Sequence, residues 1–94
     1  MNSKEFFDFN TRRNEIVLKV HTLTSPFYVS DEVLIKTLIN KFGEKKGQQI
    51  YKDFDEKMLA RQRLKKGIYM QDIRQILGNM RINAYFVNEE GKTF

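Results

Sequence analysis

Apolar residues recur through the middle of the chain at helical spacing, which predicts three consecutive helices near 31–42, 46–66 and 69–78. The first has an N-cap at Ser30, followed by Asp31 and Glu32, where the helix dipole favours negative charge. It should end at Gly43, which can adopt a left-handed backbone. The other two helices are predicted by two apolar series: Ile50, Tyr51, Phe54 and Met58, then Tyr69, Ile73, Ile76 and Leu77.

Alternating and β-branched residues predict strands on both sides of the helical region. The strands are expected near 15–22, 27–29 and 82–87, and Pro26 separates the first two. At the amino terminus, 3–9 fits either a short helix capped by Ser3 or an extended segment. The order of elements predicts an α+β fold, in which a small antiparallel sheet packs on three helices. At 94 residues, we expect a single domain covering 1–94.

The composition excludes several kinds of chemistry. The chain has no cysteine, which excludes disulfides, thiolate metal sites and thiol catalysis. His21 is the single histidine, and no phosphate-cradling glycine loop is present. We therefore expect a protein that is not an enzyme and that uses no metal or cofactor. The longest apolar runs are far shorter than a membrane span, and no secretory signal is recognisable, so a cytoplasmic protein without a membrane partner is expected.

The positive charge of the chain is unevenly distributed. The net charge is +5, and residues 31–66 hold ten basic and six acidic side chains. The last 28 residues are balanced, with three of each. Clustering of this kind indicates an anionic partner, although a basic surface can also serve solubility alone.

The strongest functional signal is the carboxyl-terminal part of the second predicted helix. Five cations fall within ten residues: Lys57, Arg61, Arg63, Lys65 and Lys66. Closely spaced cations suit phosphate binding, because each neutralised phosphate releases counterions. The simpler alternative is that they complement the helix dipole. Arg74 and Arg81 of the third helix are candidates to extend this patch.

Aromatic residues supply a second candidate signal, because exposed rings can stack on unpaired bases. Tyr28, Tyr51, Tyr69, Tyr85 and Phe86 are the candidates, although aromatics at regular spacing usually belong to a core. On a strand, Tyr85 and Phe86 point to opposite faces, so one of them should lie outside the main core.

The segment 71–87 resembles the helix-turn-helix of DNA-binding proteins. The resemblance rests on apolar residues and a turn glycine at Ile73, Leu77, Gly78 and Val87. Arg74 replaces the small residue of that motif, and Asn79 replaces the apolar residue of its turn. The resemblance implies a duplex-DNA regulator, whereas the ordinary alternative is a core helix followed by a strand.

Three functional hypotheses follow. The first is a small basic protein that binds RNA, single-stranded DNA or a ribonucleoprotein through the positive end of its central helix. The second is a phage-type protein inhibitor of a host nuclease or defence complex, comparable in size with small anti-CRISPR proteins. The third is the helix-turn-helix regulator.

Overall fold

The computed structural model describes residues 14–23, 27–59, 61 and 67–93. In this part of the chain the elements are β1 (Glu15–Lys19), β2 (Tyr28–Val29), α1 (Asp31–Phe42), α2 (Glu44–Met58), β3 (Ile68–Tyr69), α3 (Met70–Asn79) and β4 (Asn83–Val87). The predicted α+β class, with three helices and a small sheet, is confirmed. The expectation for 3–9 lies outside the described residues.

The strand pairing differs from the predicted all-antiparallel sheet. β1 and β4 pair in parallel, with Glu15 opposite Asn83 and Lys19 opposite Val87. β2 and β3 pair antiparallel, and a single bridge between His21 and Tyr28 connects the two pairs. Two parallel strands require a long crossover connection, and the helices between β1 and β4 provide it. The antiparallel prediction is therefore wrong for β1 and β4.

The first helix begins and ends where its capping residues predict. Ser30 Oγ accepts a hydrogen bond from the Val33 N–H at 3.2 Å. Gly43, with φ of 88°, ends α1 and donates its N–H to the Ile39 carbonyl at 2.8 Å. This left-handed backbone is a conformation that glycine adopts without steric cost.

The second helix is shorter than predicted, because it ends at Met58 rather than near residue 66. Beyond the helix, the Leu59 N–H donates to the Glu56 carbonyl and the Arg61 N–H donates to the Met58 carbonyl. Each bond reaches the carbonyl three residues earlier, as in a 3₁₀-helix, rather than four residues earlier as in an α-helix. The apolar line that holds α2 on the core also stops at Met58, and a helix without a buried face gains little from packing. Residues 62–66 lie outside the described part.

One apolar core joins the helices to the β1–β4 pair. Its members include Ile16, Leu18, Val20, Leu34, Leu38, Phe54, Ile73, Leu77, Ile82 and Phe86. Gly47 allows α2 to approach α1, because a Cβ at this position would lie 2.6 Å from Ile39 Cα. The helices cover one face of the strand pair. On the other face Lys19, Asn83 and Tyr85 are exposed, whereas Glu15 is buried.

A carboxylate links the loop after β1 to the turn after β4. Glu89 accepts hydrogen bonds from the Thr22 N–H and the Thr22 hydroxyl. These bonds, led by the one from the hydroxyl, lower the pKa of Glu89 to about 2 from its ordinary value of 4.5. The folded state therefore favours the ionised carboxylate, and this contribution is complete only above the unfolded-state pKa.

We expect the midpoint of urea unfolding to fall as the pH is lowered from 4.5 towards 2, because protonation removes the acceptor that Thr22 uses. Glu89→Gln should weaken this pH dependence and lower stability at pH 7. Glu90→Gln is the matched control, since Glu90 is exposed and lies 3.9 Å from Lys92 in an exposed ion pair. Identical pH profiles for the two variants would contradict the assignment.

Candidate functional site

The first cation beyond α2 is held by partners inside the protein. Arg61 Nη1 donates to Asp72 Oδ1 at 2.9 Å and to Gln75 Oε1 at 3.0 Å. The Arg61 and Asp72 side chains are 33% and 21% exposed, so the ion pair is partly shielded from water. Asp72 lies in the first turn of α3, where the helix dipole also favours its charge. Through these hydrogen bonds, Arg61 connects the chain beyond α2 to the first part of α3.

The chain is fixed again at Gly67, immediately before β3. Gly67 is buried, and a Cβ there would lie 2.3 Å from the Val29 carbonyl oxygen and 2.7 Å from Tyr28 Cδ2. Any side chain at this position would force β3 away from β2. We call residues 62–66 the basic segment; it comprises Gln62, Arg63, Leu64, Lys65 and Lys66. Its flanks, Arg61 and Gly67, both have fixed positions, whereas Arg63, Lys65 and Lys66 lie outside the described residues.

Charges on the described elements nearly cancel. α1 carries two lysines and two carboxylates. α2 carries four of each, and Lys57 is exposed near its end. The described residues together include eleven basic and ten acidic side chains. Of the surplus of five, three positive charges fall at Arg63, Lys65 and Lys66, with no acid between them. The net charge is therefore concentrated beside Arg61 and Gly67, not spread over the helices.

Arg74 and Arg81 do not share the position of Arg61. Arg74 is exposed on α3, and its guanidinium carbon lies 5.2 Å from the centre of the Phe86 ring. Arg81, with φ of 65°, lies beyond Asn79, the last residue of α3, and Asn79 is itself roughly 10 Å along the helix axis from Asp72. These positions give no support to Arg81 as an extension of the basic segment. A role for either arginine in anion binding stays a prediction.

The aromatic candidates separate into core and surface residues. Phe86 is 6% exposed and belongs to the core, whereas Tyr85 is 46% exposed. This confirms that one of the pair lies outside the core. The Tyr85 hydroxyl points to Glu15 Oε1 at 3.4 Å, which orients the ring on the exposed face of β4. Tyr28, Tyr51 and Tyr69 are half-buried.

The helix-turn-helix interpretation of 71–87 is wrong. α3 ends at Asn79, and the chain then forms β4 where the motif requires its recognition helix. The β-prone sequence of β4 pairs with β1 and places Phe86 in the core, which a helix at this position would not do. The interpretation failed because the motif's apolar positions also fit a helix followed by a buried strand.

No group of three or more histidine, cysteine or acidic residues is placed to hold a metal ion in the described ranges. Within the same ranges, no helix has the length and apolar character needed to cross a membrane. No protein-family model, curated protein or solved structure matches this chain.

Two features of the site have no recognisable signal in the amino-acid sequence. Arg61 is hydrogen-bonded to Asp72 and Gln75, which lie more than ten residues further along the chain. No rule of sequence spacing connects residues so far apart. The packing requirement at Gly67 was likewise hidden, because a glycine at a helix end is expected for conformational reasons alone.

Proposed function

We propose that the protein binds single-stranded nucleic acid, alone or within a ribonucleoprotein, through its basic segment. The observation that carries this proposal is the concentration of charge. Three of five surplus positive charges fall in 62–66, next to described elements whose own charges nearly cancel. Charge that serves only solubility does not have to be clustered at one place on the surface.

The fixed flanks support the same proposal. Arg61 is held by Asp72 and Gln75, and Gly67 is packed against Val29. The cations between them are attached to the folded domain at both ends, so a bound phosphate chain would be held close to it. Lys57, exposed near the end of α2, is the described cation nearest to the segment in sequence. Without a recognition helix, no element of the described fold favours duplex DNA.

The decisive experiment compares two triple charge reversals of equal net charge. One variant carries Arg63→Glu, Lys65→Glu and Lys66→Glu. The control carries Lys45→Glu, Lys46→Glu and Lys52→Glu, all exposed on α2. Arg61 is left intact, because a carboxylate there would face Asp72. Affinity for a fluorescein-labelled 20-nucleotide oligouridine is measured by anisotropy across a salt series.

We expect the basic-segment variant to bind about tenfold or more weakly at low salt. Its slope of log affinity against log salt should be shallower by about 2, since each lost contact with a single strand removes about 0.7. The control should keep most of its affinity and its slope. Equal losses of affinity in the two variants would show that only the overall charge of the protein matters. Failure of the wild-type protein to bind oligouridine would refute the proposal. A defined protein retained from nuclease-treated lysate would instead favour the nuclease inhibitor.

A further inference from the structure

A groove of about 460 Å³ runs along one edge of β4. Its lining residues are Met70 and Arg74 of α3, the five consecutive residues 82–86, and Thr93 after the last turn. Successive side chains of a strand point to opposite faces. Five consecutive residues can therefore line one groove only along the backbone edge of the strand. The groove lies between that edge and α3.

The hydrogen bonds of β4 show which backbone groups face the groove. Asn83 N–H donates to the Asn14 carbonyl, and the Val87 carbonyl accepts from Val20 N–H, both at 2.8 Å. In a parallel ladder, alternate residues bond to the same neighbour. Asn83, Tyr85 and Val87 thus direct their N–H and carbonyl groups towards β1, and Ala84 directs its own groups towards the groove.

In the described part of the chain, this edge is occupied on both sides of Ala84, since the Ile82 N–H before β4 donates to the Leu77 carbonyl at 2.9 Å and the far end is covered by the chain after the last turn. Val87 bridges to Thr93, and Asn88 N–H donates to the Lys92 carbonyl at 2.8 Å. Among the described residues, no strand pairs with Ala84 on the groove side. Edge strands commonly carry charges or proline that discourage pairing, but β4 has neither. The backbone of β4 at Ala84 is therefore suited to receive another strand.

The chemistry of the groove distinguishes between possible occupants. Met70, Ile82 and Phe86 supply apolar surface, and Arg74 is the one charged residue among those that line it. Ala84 presents one N–H donor and one carbonyl acceptor side by side on this edge, and an extended peptide backbone carries the complementary pair. The exposed guanidinium of Arg74 suits a carboxylate.

We propose that this groove binds an extended peptide of a partner protein by strand addition to β4. The peptide backbone pairs with the N–H and carbonyl of Ala84, and an acidic side chain of the peptide meets Arg74. None of the residues that line the groove belongs to the basic segment, and the groove gives the protein a means of contacting a protein as well as a polyanion.

The test is selection from a displayed library of random heptapeptides against the intact chain. Wild-type protein should enrich peptides that carry an acidic residue at one fixed position, and Arg74→Glu should shift that position to lysine or arginine. Ala84→Pro should bind the selected peptides about tenfold or more weakly, because proline removes the N–H that faces the groove. The fold should survive this change, since the Ala84 N–H takes no part in pairing with β1.

A second readout does not depend on a proline variant. In wild-type protein, the Ala84 amide should exchange with solvent more slowly once a selected peptide is bound, whereas the exposed Glu90 amide should not change. Absence of enrichment, or peptides that bind Ala84→Pro and wild type equally, would overturn the proposal. So would displacement of the peptide by oligouridine, which would assign the groove to nucleic acid. A dimer of this chain that Ala84→Pro dissociates would assign the edge to a second copy and would also overturn it.

Discussion

Replacing Phe54 with alanine is expected to lower the free energy of unfolding by about 3–5 kcal/mol. Phe54 is fully buried in the core that joins the helices to the strands, and its ring lies 6.3 Å from that of Tyr51. The substitution removes a whole ring and leaves a cavity that neighbouring side chains can fill only partly. A domain of this size has a total stability of roughly 5–15 kcal/mol, so the loss is a large share. Urea unfolding followed by circular dichroism at 25 °C measures it.

Leu59→Ala is the matched control for Phe54→Ala. Leu59 follows the last residue of α2 and is 83% exposed, so its removal should change stability by less than about 0.5 kcal/mol. A large effect at Leu59 would show that this leucine packs against another part of the chain. A small effect at Phe54 would contradict the described core.

Gly67→Ala is expected to cost about 1–3 kcal/mol, the range for inserting a methyl group into a filled space. The added Cβ would lie 2.3 Å from the Val29 carbonyl oxygen and 2.9 Å from the Val29 carbonyl carbon. Both atoms belong to the backbone, which cannot move away as a flexible side chain can. β2 and β3 would have to separate, and the flank of the basic segment would move with β3. Thermal and urea unfolding measure the cost.

The control for Gly67→Ala is the same substitution at Gly78 in α3. Nothing lies within 4 Å of a Cβ built there, and alanine favours a helix over glycine by about 0.5–1 kcal/mol. Gly78→Ala should therefore leave stability unchanged or raise it. If the two variants lose the same stability, the close contact between Gly67 and Val29 is not present in solution.

Local chemistry was sufficient to predict α1. Ser30, Asp31 and Gly43 affect only the helical turn next to them. Each has the predicted role in the structure. The end of α2 could not be predicted in the same way. Arg61 and Lys65 continue the helical spacing after Met58, but long cationic residues are compatible with a helix or a turn, and packing decides between them. Here the guanidinium of Arg61 bonds to α3 instead.

The pairing between strands that are far apart in the chain could not be predicted from the sequence. The segment 15–22 and the segment 27–29 are neighbours along the chain, which favours a hairpin. Instead, β1 pairs with β4, and within the described ranges the connection to β2 is a bridge between His21, two residues after β1, and Tyr28. Likewise, the clustering of cations was readable from composition, but the partner of Arg61 was not, since Asp72 reaches it only after the chain has folded back.

The pairing of β1 with β4 also bears on how the protein is made. Of the described elements, β1 leaves the ribosome first and β4 last, so the β1–β4 pair cannot form until nearly all of the described chain has been synthesised. Helix formation can precede this step, but joining such distant strands carries a large loop-closure entropy and slows the final collapse. Until β4 has been synthesised, the apolar side chains of β1 lack the strand with which β1 pairs, and apolar surface exposed in this way promotes aggregation.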